Sequence, residues 1–327
     1  MIYRAIFFAL GCAFFVFLFA RLGAAEIWAL LARIGWRLAL IAVAYVGHQL
    51  IRTAALWRCV ETYGSMPYRD LVRIRLSGEA VQQLTFMGPF LSEPAKALLL
   101  KERGLTAHRA FAAVIAEYLI YTFAAAIMAV AALLYILRSF ELSPAFAVGA
   151  RIALCAAGAF LAAAAFAILL RFYLIGMILG WVAALPLIGK RLRIDPKALR
   201  DTEDLLFVIL RDRFRRFLSV FGIEFLAQGP LLLELYILLT ASGQSFRLID
   251  PLLIEASTKY LSAAFFFLPG QVGASEGLYV AVFDAIGLPA SAGFGLALAR
   301  RVRTLLVAGI GLAFLSFHKG RGRGDER

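Results

Sequence analysis

Runs of roughly 20 apolar residues recur along this chain, and each is long enough to cross about 30 Å of hydrocarbon. Nothing restricts a fold more. Inside a bilayer every backbone N–H and C=O must find a partner within the protein, which leaves helices or closed barrels. A barrel would show short segments of alternating polarity, and the runs here are continuous. Of the 327 residues, 62% are hydrophobic and 17% charged, an apolar share far above that of a soluble domain. The sequence predicts an all-α polytopic integral membrane protein, a single transmembrane domain over 1–327. Full spans are expected near 4–21, 38–60, 110–137, 147–170, 214–240 and 290–317.

The net charge of +13 has a topological meaning, because Lys and Arg gather in cytoplasmic loops. The clusters are KRLRIDPKALR (190–200), RDRFRR (211–216) and the tail HKGRGRGDER (318–327). They mark a cytoplasmic linker at about 171–213, with a charged helix over 196–213, and a cytoplasmic C-terminus. Nucleic acid is not expected as a partner, since no soluble domain presents these charges. Residues 172–189 are apolar but short and should lie shallow. Residues 21–37, with Trp28 and Trp36 between Arg21 and Arg37, read as an interfacial helix. The start, MIYRAIFFALGCAFFVFLFARLGAAEI, has the layout of a secretory signal, but the span that follows closely favours retention. Cys12, Cys59 and Cys155 lack a CxxC spacing and read as packing thiols, and three scattered histidines argue no metal site. No cofactor is expected, and no GxxxxGK[ST] motif for a nucleotide occurs.

Two regions fit neither loop nor span: 70–103 and 250–287, the latter containing FLPGQVGASEG (267–277). Each has two half-length helical stretches around a Gly/Pro break, at Gly88-Pro89 in one and at Pro269, Gly270 and Gly273 in the other. That is the pattern of a re-entrant hairpin, tolerated at membrane depth only against protein or a wet cavity. A shift of 183 residues places Ser92-Glu93 on Ser275-Glu276, Gly104-Leu105 on Gly287-Leu288, and Phe111 on Phe294. Basic residues crowd the flanks of the first region and are sparse around the second, so opposite insertion is expected. The result would be an inverted repeat, about 38–137 and 214–317, with a site near the midplane. Arg21, Arg33 and Arg37 disagree with this orientation and are outnumbered by the larger clusters.

Ionisable groups within spans are costly and default to function. Glu93 and Glu276 stand one at each hairpin tip, where helix capping is the alternative. Lys96 shares a helical face with Glu93, as a partner for that carboxylate or as a contact for a lipid phosphate. Glu117 aligns with Arg300 under the same shift, so the two could pair across the repeats as a gate or a lock. Arg300 lies roughly 15 Å into its helix. Glu224 and Gln228 sit one turn apart before Gly229-Pro230, an expected kink. Glu255 and Lys259 suit a local i, i+4 pair. Asp201 and Asp204 form a DxxD that reads as a solvated face rather than a metal-diphosphate site.

With these residues in view, the chain resembles the lysylphosphatidylglycerol synthase/flippase transmembrane family, which includes hopanoid-biosynthesis-associated membrane proteins. The stretches that carry it are GPFLSEPAKALLLKERGLTAHRAFAAVIAEY (88–118) and PGQVGASEGLYVAVFDAIGLPASAGFGLALARR (269–301). By position, Pro89, Glu93, Lys96, Glu117, Pro269, Gly270, Gly273, Glu276 and Arg300 are the family-like residues. Ser92 stands where the family pattern has a Gly, and Tyr118 where a basic residue often follows the Glu. The synthase region of the long fused members is not found, so the resemblance implies lipid translocation and no enzymatic activity. The expected function is a flippase-like transporter in a bacterial-type inner membrane, moving an amphipathic lipid, for instance an aminoacylated phospholipid. The two carboxylates would suit a cationic headgroup or proton coupling. The alternatives are a non-catalytic subunit of a lipid-synthesis complex and, further off, an intramembrane headgroup transferase.

Overall fold

The computed structural model describes residues 34–85, 88–174, 176–177, 196–241, 243, 245–262, 271 and 274–316. Outside these lie the expected span 4–21, most of 21–37 and of 172–189, the break residues Pro269, Gly270 and Gly273, and the basic tail. Among the described residues no strand forms. Helix follows helix: α1 (Arg37–Val60), α2 (Tyr68–Leu84), α3 (Pro89–Glu102), α4 (Ala107–Ser139) and α5 (Pro144–Leu170) make the first half. Next comes α6 (Pro196–Phe207), which runs into a π turn at Val208–Asp212. The second half is α7 (Phe214–Leu226), α8 (Gln228–Ala241), α9 (Asp250–Ser262), α10 (Ala274–Ala285) and α11 (Ala290–Ser316).

Local sequence explains the joints. Ser143 accepts a hydrogen bond from the Phe146 N–H at 3.4 Å, and Pro144 opens α5 where its missing N–H is not needed. Gly88 bends the chain between α2 and α3 with φ +37, a conformation that side chains resist. Pro230 would clash with the carbonyl four residues back, at Leu226, and α7 ends there. The neighbouring Ala227 carbonyl accepts from His48 Nδ1 at 2.6 Å.

Four helical stretches are long and apolar enough to cross a bilayer: Arg37–Val60, Ala107–Ser139, Pro144–Leu170 and Phe214–Ala241. Their outer faces carry large exposed apolar groups such as Val148, Ile152, Phe166 and Leu169, the surface expected of helices in a bilayer. This is an all-α membrane protein. By contrast α2 and α3 have 17 and 14 residues, too short for a span at about 1.5 Å per residue, and the described parts of α9 and α10 cover 13 and 12. They fall where the sequence predicts half-length pairs.

Helix boundaries recur across the halves at the 183-residue interval: α3 and α10 end at Glu102 and Ala285, and α4 and α11 start at Ala107 and Ala290. Packing is reciprocal. The first arm of the first pair, α2, lies along α11, and the first arm of the second pair, α9, lies along α4. Two large apolar cores result, beside two small clusters around Tyr45 and Leu84. One gathers Leu56, Leu71, Leu100, Ile120, Ile209 and Val220; the other gathers Ile41, Ile136, Leu235, Ile254, Phe283 and Leu296. The long helices α1 and α4 run from one core to the other, so their middle turns form a layer between.

The α2–α11 contact depends on a missing side chain. A Cβ at Gly311 would strike the Leu76 carbonyl oxygen and approach Ala80 Cβ to 2.8 Å. Backbone cannot yield as a flexible side chain can. Gly311→Ala is expected to cost about 1–3 kcal/mol, read as a lowered unfolding temperature in detergent. Gly309→Ala, with open space around it, should be close to neutral.

Candidate functional site

The layer between the two cores is where the charges are. Glu117, on α4, is fully buried and bridges two arginines. Its Oε1 accepts from Arg52 Nη2 at 2.8 Å and from Arg75 Nη2 at 2.9 Å. Lys96 Nζ lies 4.0 Å from its other oxygen and 2.6 Å from Glu93. Arg52 reaches on to Glu224 at 3.1 Å, and Arg75 to the Gln49 side chain and the Arg52 carbonyl. Three helices, α1, α2 and α3, thus each send a cation to one carboxylate on α4.

The second half repeats the arrangement with the signs exchanged. Arg300, on α11, meets Glu234 of α8 at 3.2 Å, Glu255 of α9 at 2.7 Å and the Tyr279 hydroxyl of α10 at 2.6 Å. Lys96 and Tyr279, and Glu117 and Arg300, are each 183 residues apart, so equivalent positions touch in both halves. Glu234 also holds Arg303, which stacks 3.8 Å above the Tyr45 ring. Lys259 closes the set at 3.0 Å from Glu255 and 2.6 Å from the Gln228 side chain.

Between the two clusters lies a cavity of roughly 280 Å³, reached from α1, α2, α4 and α8 to α11. Tyr121 forms part of its wall. The Arg52 guanidinium stands 3.6 Å and the Lys259 ammonium 5.4 Å from that ring's centre, a favourable seat for a cation. Glu79 enters from α2, its Oε1 accepting from the Tyr45 hydroxyl at 2.7 Å and from Gln83 at 2.9 Å. Buried polar groups left without partners are costly; most of the charges here are paired, but Glu224 Oε1 and Arg303 Nε are buried without a hydrogen bond. The structure is a hydrogen-bonded polar chamber inside a lipid-facing shell.

The residues singled out in the sequence divide accordingly. Glu117, Lys96, Glu224, Gln228 and Arg300 belong to the two charge clusters, with Arg300 lining the chamber itself and Gln228 behind it on Lys259. Glu117 and Arg300 are not partners of each other, because each is neutralised within reach of its own half. Glu255 makes its local pair with Lys259 and adds Arg300. The hairpin acids stand one step back. Glu93 is held by Lys96, and Glu276 by Arg301 at 2.7 Å from Nε. Gln82 and Gln83 reach the cavity from the first pair of short helices, and Gln271 and Ser275 from the second. Asp201 and Asp204 are exposed, and no group of three potential metal ligands occurs among the described residues. Tyr173 donates to Asp204 at 2.7 Å, which holds its hydroxyl above the ordinary range. The opposite face of α6 is less solvated than expected: Leu206 and Phe207 are buried, and the helix packs on α4.

Arg52, Arg75, Glu234, Arg303 and Glu79 escaped the sequence argument. For Arg52 and Glu234 the signal was present, since each is an ionisable residue in the middle of an expected span. Arg75 was read only among the basic residues flanking the first region.

Helices that cross the bilayer, a pair too short to do so and a buried charged layer around a chamber define a polytopic membrane protein with an internal polar site. The family model of the lysylphosphatidylglycerol synthase TM region matches residues 4–311, and the chain belongs to that family, which ties it to membrane lipid. No curated protein and no solved structure matches it.

Proposed function

We propose that the protein is a lipid translocator, carrying an amphipathic lipid between leaflets with the headgroup in the chamber and the acyl chains outside. The observation that carries this is the chamber itself, a charged cavity enclosed by helices whose outer faces are apolar. A headgroup needs a polar route through hydrocarbon, and the family gives the lipid connection. In this proposal the α2–α3 and α9–α10 pairs are re-entrant hairpins entering from opposite sides of an inner membrane, with the linker and C-terminus cytoplasmic. Inverted units of this kind place their sites at the midplane. Tightly paired ions in two clusters suit alternate opening, since packed interfaces switch between discrete arrangements.

The test is leaflet exchange of a fluorescent phospholipid in proteoliposomes, read by quenching from outside. Protein-dependent exchange is expected. Gln82→Trp, which puts a bulky ring into the cavity from α2, should slow it at least tenfold while the protein stays monodisperse. Exchange no faster than in empty vesicles, or equal in Gln82→Trp, would reject translocation. Co-purification with lipid-synthesis enzymes in the absence of exchange would point instead to a non-catalytic subunit.

A further inference from the structure

The joint between the π turn at Val208–Asp212 and α7 carries more positive charge than its surroundings neutralise. Residues 211–216 read RDRFRR. Four arginines, Arg58, Arg213, Arg215 and Arg216, share one surface cavity of roughly 590 Å³ with Asp212, Phe214 and Ser219. Chain adjacency holds three of them together, and a long-range bond adds the fourth. Arg216 Nη1 donates to the Arg58 carbonyl at 3.0 Å and to Thr62 Oγ1 at 2.9 Å. The carboxylates within reach are already taken. Asp212 binds Arg171 at 2.6 Å, and Glu61 meets Arg58 at 3.1 Å and Arg216 at 4.0 Å. Arg213 and Arg215 are exposed and have no carboxylate partner among the described residues.

Helix electrostatics make this a poor place for cations alone. The N-terminus of a helix is the positive end of its dipole and favours acids in the first turn. In α7 the first turn has no acid, and no side chain caps it. It holds Arg215 and Arg216 instead. Cytoplasmic placement accounts for basic residues at a helix end, but a plain loop would carry them at less cost, and it calls for no cavity between them. An oxyanion in that cavity would offset the helix dipole and the guanidinium charge together, and guanidinium is a strong donor to phosphate.

The apolar wall says which phosphate. Phe214 lines the same cavity and is 59% exposed. It opens the stretch Phe214–Ala241, one of the four able to cross a bilayer. From it a ladder of stacked rings runs along the helix. Phe214 lies on Phe217 at 6.1 Å, Phe217 on Phe221 at 6.2 Å and Phe221 on Phe225 at 6.4 Å between centroids. Leu218 and Phe225 are exposed beside it. Free phosphate would use the arginines and leave this wall bare, whereas a phospholipid would use both.

We infer that this cavity binds an anionic phospholipid of the adjoining leaflet, with its phosphate on Arg213 and Arg215 beside Arg58 and Arg216, and its acyl chains along the Phe214–Phe225 ladder. None of its lining residues belongs to the chamber. The site is a second one, and it stands whether or not the protein moves lipid between leaflets.

The full-length protein in a maltoside detergent is incubated with dioctanoyl phosphatidylglycerol or dioctanoyl phosphatidylcholine, and bound lipid is counted by native mass spectrometry. Glycerophosphoglycerol and inorganic phosphate, which lack acyl chains, serve as competitors. Phosphatidylglycerol should bind with about tenfold preference, and Arg213→Gln/Arg215→Gln should weaken it about ten- to thirtyfold. Any lipid held in the chamber persists in that variant, so the expected readout is one bound lipid fewer. Both arginines are exposed, and an unchanged unfolding temperature separates loss of charge from loss of fold. Arg213→Lys/Arg215→Lys should retain most of the binding, and Phe214→Ser should weaken it. Equal affinity for the two lipids, or an unchanged count in the Gln variant, would overturn the site. Displacement by either chain-free competitor at concentrations matching the lipid would show an anion site without a lipid, and would overturn the inference as well.

Discussion

Glu117→Gln is expected to remove about 3–5 kcal/mol of stability, the usual consequence of stripping one partner from a buried ion pair. Folded proteins hold only about 5–15 kcal/mol in total, so most of the variant should be lost as aggregate on extraction. The cause is specific. Arg52 and Arg75 both rest on one oxygen of Glu117, and Arg75 is sealed from water while Arg52 is open only to the cavity. Lys96, 4.0 Å away, would lose part of its compensation as well. If this is correct, adding Arg75→Gln to Glu117→Gln should recover much of the loss, because one fewer cation then lacks a partner. Thermal unfolding of the three variants in detergent measures it. A double variant no better than the single would mean that packing, and not charge, accounts for the loss.

Glu234→Gln should be comparably severe, and its damage should fall elsewhere. Glu234 is fully sealed and holds both Arg300 and Arg303. Arg300 retains Glu255, whereas Arg303 has no other carboxylate among the described residues. The expected cost is again about 3–5 kcal/mol. Amide exchange distinguishes the two variants, since proteins open in cooperative local units. Glu234→Gln should loosen α8, α9 and α11 first, and Glu117→Gln should loosen α1 to α4. Identical patterns of opening would show that the halves are one unit and that the two clusters do not stabilise them separately.

Much of the fold was legible because bilayer physics is a coarse, strong filter. The spans near 38–60, 110–137 and 147–170 differ from the helices by at most three residues at either end; a helix also covers 290–316, but it is not among the stretches apolar enough to count as a span. The short pair α2–α3 was legible for the same reason, since Gly88 interrupts a run that would otherwise cross; the Pro-Gly at 269–270 lies outside the described residues. The ion pairs were not. Sequence shows that Glu117 and Arg300 occupy equivalent positions, and the simplest inference pairs them with each other. What decides their partners is which neighbours project a counter-charge at the same height. That depends on α1, α2 and α3 converging on α4, and on their counterparts converging on α11. Equivalent positions can also exchange chemistry, Lys96 for Tyr279 and Glu117 for Arg300, without altering which residues touch, and no shift of the sequence against itself reveals this.

The order of residues around the two buried charges bears on how such a chain is made. Arg52, Arg75 and Lys96 all precede Glu117, and Glu234 and Glu255 both precede Arg300. A ribosome delivers the chain from its N-terminus, and units fold as they emerge. Each awkward charge therefore leaves the tunnel after the side chains that will shield it. The long helix carrying it can enter the bilayer with its electrostatic partners already synthesised, and neither half has to wait for the other before its last helix is inserted.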